Sequence, residues 1–369
     1  MARTRELHAG ERAHRRHRRH ALVKLLLLPV VAAGVPRRVF ATADDSSPAV
    51  ARESGASPQQ DSVNLHTEER LLALDPERIS ARDVREVLAR GPSPRIIAMQ
   101  GSVPFVTMKP FADFLVAMDY PEERLRNPRD LSYSYSSFAD SRALAGSLAW
   151  YYEREGMVPM LIGHSQGGML AIKVLHELAG TFADRVPVWN PLADAPEDRY
   201  AVRDPLTGET RSVVGLRVPY AAALATGKLM RLLLGQWSML SRVREIPDTV
   251  AEFTGFYIEW DPIAGTGPGA ATRDPYRPTG SASVRTVTLP VGYSHVSLPV
   301  TEHLATDPVT RAWIEAYRPG IAPPPPAAGA DVRNLLHAAD IWWSIKKHWC
   351  LEAQRLARAR RARVAGGGS

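Results

Sequence analysis

The chain has 369 residues, 45% of them hydrophobic, enough for one large or two ordinary domains with a sizeable core. A single cysteine, Cys350, excludes an intramolecular disulfide and any zinc-type cysteine cluster. The net charge of +7 sits at the ends: residues 1–43 carry ten Lys/Arg against Glu6 and Glu11, and the stretch from Lys346 carries seven against Glu352, leaving a middle of about −7, which excludes a nucleic-acid-binding domain with its positive patch on the fold itself.

Residues 1–20 are basic and histidine-rich, 21–35 are mostly apolar, and Ala41-Thr42-Ala43 follows. A basic start, a short apolar run and an A-x-A site describe an export signal over 1–43; the run is too short for a membrane span of ~20 residues. The expected location is therefore periplasmic or secreted. Residues 44–62 are polar and read as a disordered linker, with order beginning near Val63.

The main folded body is expected over 63–320. Residues 80–90 read as a short helix, 95–100 as a strand closed by Gly101-Ser102, and 109–118 as a helix. Period-two alternation predicts a strand over 131–136. Ser137 and Asp140 have capping-box spacing for the helix that Gly156 stops. An apolar run, 157–162, then leads into Gly163-His164-Ser165-Gln166-Gly167-Gly168, and an amphipathic helix leaves it. Strand, tight turn, helix, with a serine at the tip, is the context a nucleophile elbow requires. The strained turn projects the hydroxyl, the glycines remove Cβ atoms where strand and helix meet, and helix N–H groups can stabilise an oxyanion. His164 is expected to tune or line the pocket.

Residues 186–189 read as the next strand and 200–214 as a hairpin. Residues 220–243 are conspicuously apolar and read as a helix, so the interval of about 192–247 is expected to form a cap or lid. Strands follow over 253–260, ending at Asp261-Pro262, and over 284–289, followed by Val291-Gly292-Tyr293-Ser294-His295. A closing helix is expected over 307–317. Beyond it, 321–369 comprise a proline-rich spacer, a long helix from Asp331 to about 363 and a Gly-Gly-Gly-Ser tail. That helix carries an apolar stripe and a basic end. It could dock on the body, pair with a partner or lie on an acidic membrane surface; docking is the preferred reading. Alternating strands and helices predict an α/β fold with a mostly parallel sheet covered on both faces.

A serine hydroxyl needs a base to take its proton and a carboxylate to orient that base. Asp261 and His295 fit the order Ser, acid, His, each at the carboxyl end of a later strand. Asp194 after the 186–189 run is the alternative acid, and His303 and His337 are weaker candidates for the base. Elbow, acid, late histidine and Gln100-Gly101-Ser102 together make the stretch 95–317 resemble the α/β-hydrolase superfamily, lipase and esterase branch. The resemblance implies an oxyanion hole from the N–H of Gln166 and that of Ser102, with Val103 as the alternative because many relatives have His-Gly at Gln100-Gly101. It implies a serine hydrolase cleaving small-molecule or lipid esters through an acyl-enzyme, with neither metal nor organic cofactor. Two other readings stand beside it. One is an acyltransferase using the same acyl-enzyme. The other is a non-catalytic membrane-associated or partner-binding protein on a hydrolase scaffold, which predicts that deleting residues 331–369 abolishes localisation or complex formation.

Overall fold

The computed structural model describes residues 58–227, 237–324, 326 and 329–366. The export segment, most of the linker and the core of the expected lid helix therefore lie outside the described residues.

Five strands form one sheet: β1 (Ile96–Met99), β2 (Met160–His164), β3 (Val218–Leu224), β4 (Val250–Ile258) and β5 (Ser283–Leu289). They lie in chain order and every pairing is parallel. Side chains along each strand alternate between two cores. Ile96, Ala98, Ile162, Ala222 and Phe256 enter one; Ile97, Met99, Leu161, Ala223 and Phe253 enter the other. The first core is covered by α3 (Lys109–Ala117), α6 (Pro308–Ala316) and α7 (Leu335–Gly366). The second is covered by α4 (Ser141–Glu155) and α5 (Gln166–Leu178). The fold is thus α/β, a parallel sheet with helices on both faces. Two short helices precede it, α1 (Pro58–Ala73) and α2 (Ala81–Glu86).

Several expectations are corrected. The largest concerns 220–243: Val218–Leu224 is the middle strand of the sheet, not the start of a helix, and it lies inside the interval expected to form a cap. Its Ala221-Ala222-Ala223 suggests helix by propensity. A strand buried on both faces shows no period of two, so the sequence pattern could not identify it. The segment 131–136 contributes one bridge residue, Tyr135 beside Met99, and its first residue, Leu131, sits at φ 59°, outside the extended region a strand needs. The capping box of Ser137 and Asp140 does not form. Asp140 itself is the cap, its carboxylate accepting from Arg142 N and Ala143 N, so the helix starts one turn later than expected. The strand expected at 186–189 reduces to a two-residue ribbon, Trp189–Asn190 with Ala195–Pro196, outside the main sheet. Helix α1 starts at Pro58, within the stretch read as linker. The hairpin near 200–214 pairs Ala201–Arg203 with Thr210–Ser212.

Helix α7 docks on the body. Trp342, Ile345 and Trp349 are fully buried. Asp340 receives both arms of Arg285, at 2.7 and 2.9 Å, and the Tyr317 hydroxyl at 2.9 Å. Glu252 on β4 lies within reach of Lys347, His348 and Ser344 of the same helix. Among the described residues no helix is long and apolar enough to cross a membrane.

Candidate active site

Strand β2 delivers the chain to a turn so tight that Ser165 takes φ 54° and ψ −118°, a sparsely populated region for any residue with a Cβ. The strain, of order 1–3 kcal/mol, must be held by the surroundings. Its N–H donates to Leu224 O on β3 (2.7 Å), and its carbonyl accepts from the Thr226 hydroxyl (3.0 Å). Glycine is required on either side. A Cβ on Gly163 would stand 2.3 Å from Gly167 O, and one on Gly167 would stand 2.2 Å from Met99 O.

His295 follows β5 and Asp261 follows β4, so both reach the carboxyl edge where β2 ends. His295 Nε2 lies 2.8 Å from Ser165 Oγ and its Nδ1 lies 2.7 Å from Asp261 Oδ2. A carboxylate only accepts, so Nδ1–H donates to Asp261 and Nε2 is left to accept the serine proton. The other oxygen of Asp261 accepts from Ile263 N (3.0 Å) and Ala264 N (2.9 Å), which fixes the carboxylate. Asp261 is 1% exposed and His295 7%. In that shelter the chain of hydrogen bonds is little diluted by water.

Asp194, the alternative acid, is elsewhere. It is exposed, pairs with Arg129 at 2.6 Å and accepts from the Trp189 indole. His303 lies 3.8 Å from Asp331, and His337 is buried with its Nε2 on Leu298 O. Neither is bonded to Ser165. The oxyanion candidates flank the serine: Gln166 opens α5 directly after it, and a Cβ on Gly101 would lie 3.2 Å from Ser165 Cβ. Ser102 and Val103 continue that loop, half-buried. His164 is buried beneath it, its pKa pushed down to about 3 by burial and by the neighbouring His295. Thr226 was not legible as a site residue, since a threonine sixty-one positions from the serine carries no local signal.

A cavity of about 550 Å³ opens at Gln100, one residue from the loop beside Ser165. Asn127, Arg129, Tyr135, Leu144, Trp189 and Asp194 are among its lining, so it is mixed polar and apolar. No group of His, Cys, Asp and Glu among the described residues is arranged to hold a metal.

No family model and no curated protein matches the chain. Among solved structures it is similar to an α/β serine hydrolase homologue from Coxiella burnetii, at 13% identity over 58% of this chain and 86% of that one, with a TM-score of 0.30. It is also similar to a protein of unknown function from Agrobacterium tumefaciens, provisionally assigned to the α/β hydrolases, at 13% identity over 63% and 92%, with a TM-score of 0.32. In the chain's own topology Ser165 follows β2, Asp261 follows β4 and His295 follows β5, all on one parallel sheet.

Proposed function

We propose that this chain is a serine hydrolase of the α/β-hydrolase type that cleaves carboxylic esters. The observation that carries the reading is the continuous hydrogen-bonded relay Ser165–His295–Asp261 at a strained elbow, 2.8 and 2.7 Å at its two joints. Ser165 Oγ attacks the ester carbonyl as its proton passes to His295 Nε2. Asp261 holds the imidazolium by Nδ1–H. The oxyanion is stabilised by the N–H of Gln166 and one from the 101–103 loop, with Ser102 the favoured donor. His295 returns the proton to the leaving alkoxide, and a water repeats the sequence to free the acid. The first part of the apolar stretch 220–243 belongs to a core strand, Val218–Leu224, so that part gives no support to a lipid-binding lid.

A fluorescent fluorophosphonate tests the reading. It should label the wild type and not Ser165→Ala, and Ser165→Ala and His295→Ala should each lose about a thousandfold or more in kcat on a short-chain ester. Labelling that persists in Ser165→Ala, or none in the folded wild type, removes the nucleophile. Adding alcohol to the assay separates hydrolysis from transfer, because an acyltransferase would divert product from acid to new ester. Export through residues 1–43 is part of the proposal, and mass spectrometry of the natural N-terminus tests it: a protein beginning at Met1 or Ala2 would count against cleavage.

A further inference from the structure

The segment that carries His295 is a single turn, His295–Ser297, followed by irregular chain. Four of its carbonyls accept hydrogen bonds from side chains outside it. His164 Nε2 stands 2.8 Å from His295 O. Asn334 Nδ2 stands 2.6 Å from Ser297 O and 2.8 Å from Val300 O. His337 Nε2 stands 2.9 Å from Leu298 O. At the near end of the segment the Tyr293 hydroxyl accepts from Leu336 N at 3.0 Å.

The chemistry of these contacts is one-directional. Carbonyls only accept, so both imidazoles must carry their proton on Nε2, and the Asn334 amide must turn its nitrogen toward the segment. The arrangement has visible costs. Both histidines are buried, and both Nδ1 atoms lack a hydrogen-bond partner among the described residues. Asn334 sits at φ 63°, in the left-handed region that asparagine tolerates better than most residues. An orphaned buried acceptor is destabilising, so two of them need a compensating use. Burial also holds both imidazoles neutral, which keeps the Nε2–H tautomer available. The use is geometric. His295 must meet Ser165 on one side and Asp261 on the other at once, and an ångström of misplacement costs about a hundredfold in rate.

We propose that His164, Asn334 and His337 form a clamp of positioning residues that sets His295, so that the start of the C-terminal helix belongs to the working site. The proposal rests on Ser165 and His295 being nucleophile and base. It is tested in the full chain with Asn334→Asp, Asn334→Gly, His337→Phe and His337→Gln. Four quantities are read: the fluorophosphonate labelling rate, kcat and KM on a short-chain ester, the downfield proton resonance of His295 Nδ1–H, and the melting temperature. Asn334→Asp turns a donor into an acceptor facing two carbonyls. Asn334→Gly relieves the backbone strain while removing both donations. His337→Gln keeps an N–H near the position of Nε2, and His337→Phe does not.

The expected result is labelling and kcat at least about tenfold lower in Asn334→Asp, Asn334→Gly and His337→Phe, with KM within about twofold and the downfield resonance shifted or broadened. His337→Gln should stay within about threefold of wild type, which a simple packing role would not produce. The clamp is overturned if Asn334→Gly or His337→Phe folds and labels within twofold of wild type, or if His337→Gln loses as much as His337→Phe. Failure of the wild type to label would instead remove the hydrolase reading. The resonance of His295 would then still report whether the clamp holds that ring on Asp261.

Discussion

Ser165 and His295 are useful only in a narrow geometry, and individual residues around them settle which alternatives survive. Asp261 is buried with one carboxylate oxygen on His295 and the other on two backbone N–H groups, whereas Asp194 is exposed and paired with Arg129. Asp261→Asn should therefore cost several hundredfold or more in kcat, by leaving the wrong imidazole tautomer, while Asp194→Asn stays within about threefold. Comparable losses would mean the acid is misassigned. His164 and His337 make a second prediction. Burial lowers their pKa values to about 3 and about 4, below the ~6.5 of an unfolded chain. Above pH 6.5 both states hold these rings neutral and stability is flat in pH. As pH falls from 6.5 toward 4 the unfolded chain binds protons that the native state refuses. Stability then drops by up to ~1.4 kcal/mol per pH unit for each ring. Denaturant midpoints of wild type and His164→Gln/His337→Gln, measured at pH 7.5 and 4.5, check this: the double variant should lose less. Equal losses would refute it.

At the scale of elements, the elbow depends on what lies next to it. Strand β3 supplies the carbonyl that receives Ser165 N–H, and its alanines let α5 approach closely. Ala223 is fully buried, and a Cβ at Gly168 would already stand 3.1 Å from it. Ala223→Leu should destabilise the protein by about 1–3 kcal/mol and depress fluorophosphonate labelling. Thermal melting with labelling at 25 °C checks both. If 218–224 belonged to a mobile lid, the same change would leave the melting temperature unmoved. The elbow strand and its helix were readable because β2 is an unbroken apolar run and α5 has a clean 3.6 period. Strand β3 was not, because burial on both faces erases the period that distinguishes a strand from a helix. The bridge at Tyr135 was overread for the opposite reason: alternation over six residues marked a strand where tertiary pairing supports one position.

For the whole molecule, helix α7 joins a reading of the C-terminus to a reading of the site. Two fully buried tryptophans and the Arg285–Asp340 pair fasten it to the sheet, and its start holds the His295 segment. Removing a buried tryptophan side chain alone costs about 3–5 kcal/mol, against a total stability of about 5–15 kcal/mol for a domain. Deletion of 331–369 should therefore abolish both cooperative melting and labelling. Truncation after Arg358 removes a mostly exposed end, with the surface pair of Arg361 and Glu68 and the Arg363 hydrogen bond to Pro205 O, and should keep both. Turnover that survived the longer deletion would support the helix as an independent membrane or partner element. Circular dichroism melts and labelling of the two truncated proteins separate the outcomes.

The sequence by itself determined the alternating α/β plan, the elbow with its serine, and Asp261 and His295 as candidates, because these depend on local periodicity, on glycines at a tight turn and on the order of residues at strand ends. It favoured Asp261 over Asp194 by position at a strand end, but only the folded sheet brings Asp261 to 2.7 Å from His295. It could not mark Thr226 or Asn334, and it offered His337 only as a weaker candidate for the base. Their effects act through single hydrogen bonds to backbone carbonyls far away in the chain, and a carbonyl leaves no trace in the residue that bears it. That part of the site exists only in the tertiary structure, where desolvation and packing bring donors to acceptors that no sequence spacing records.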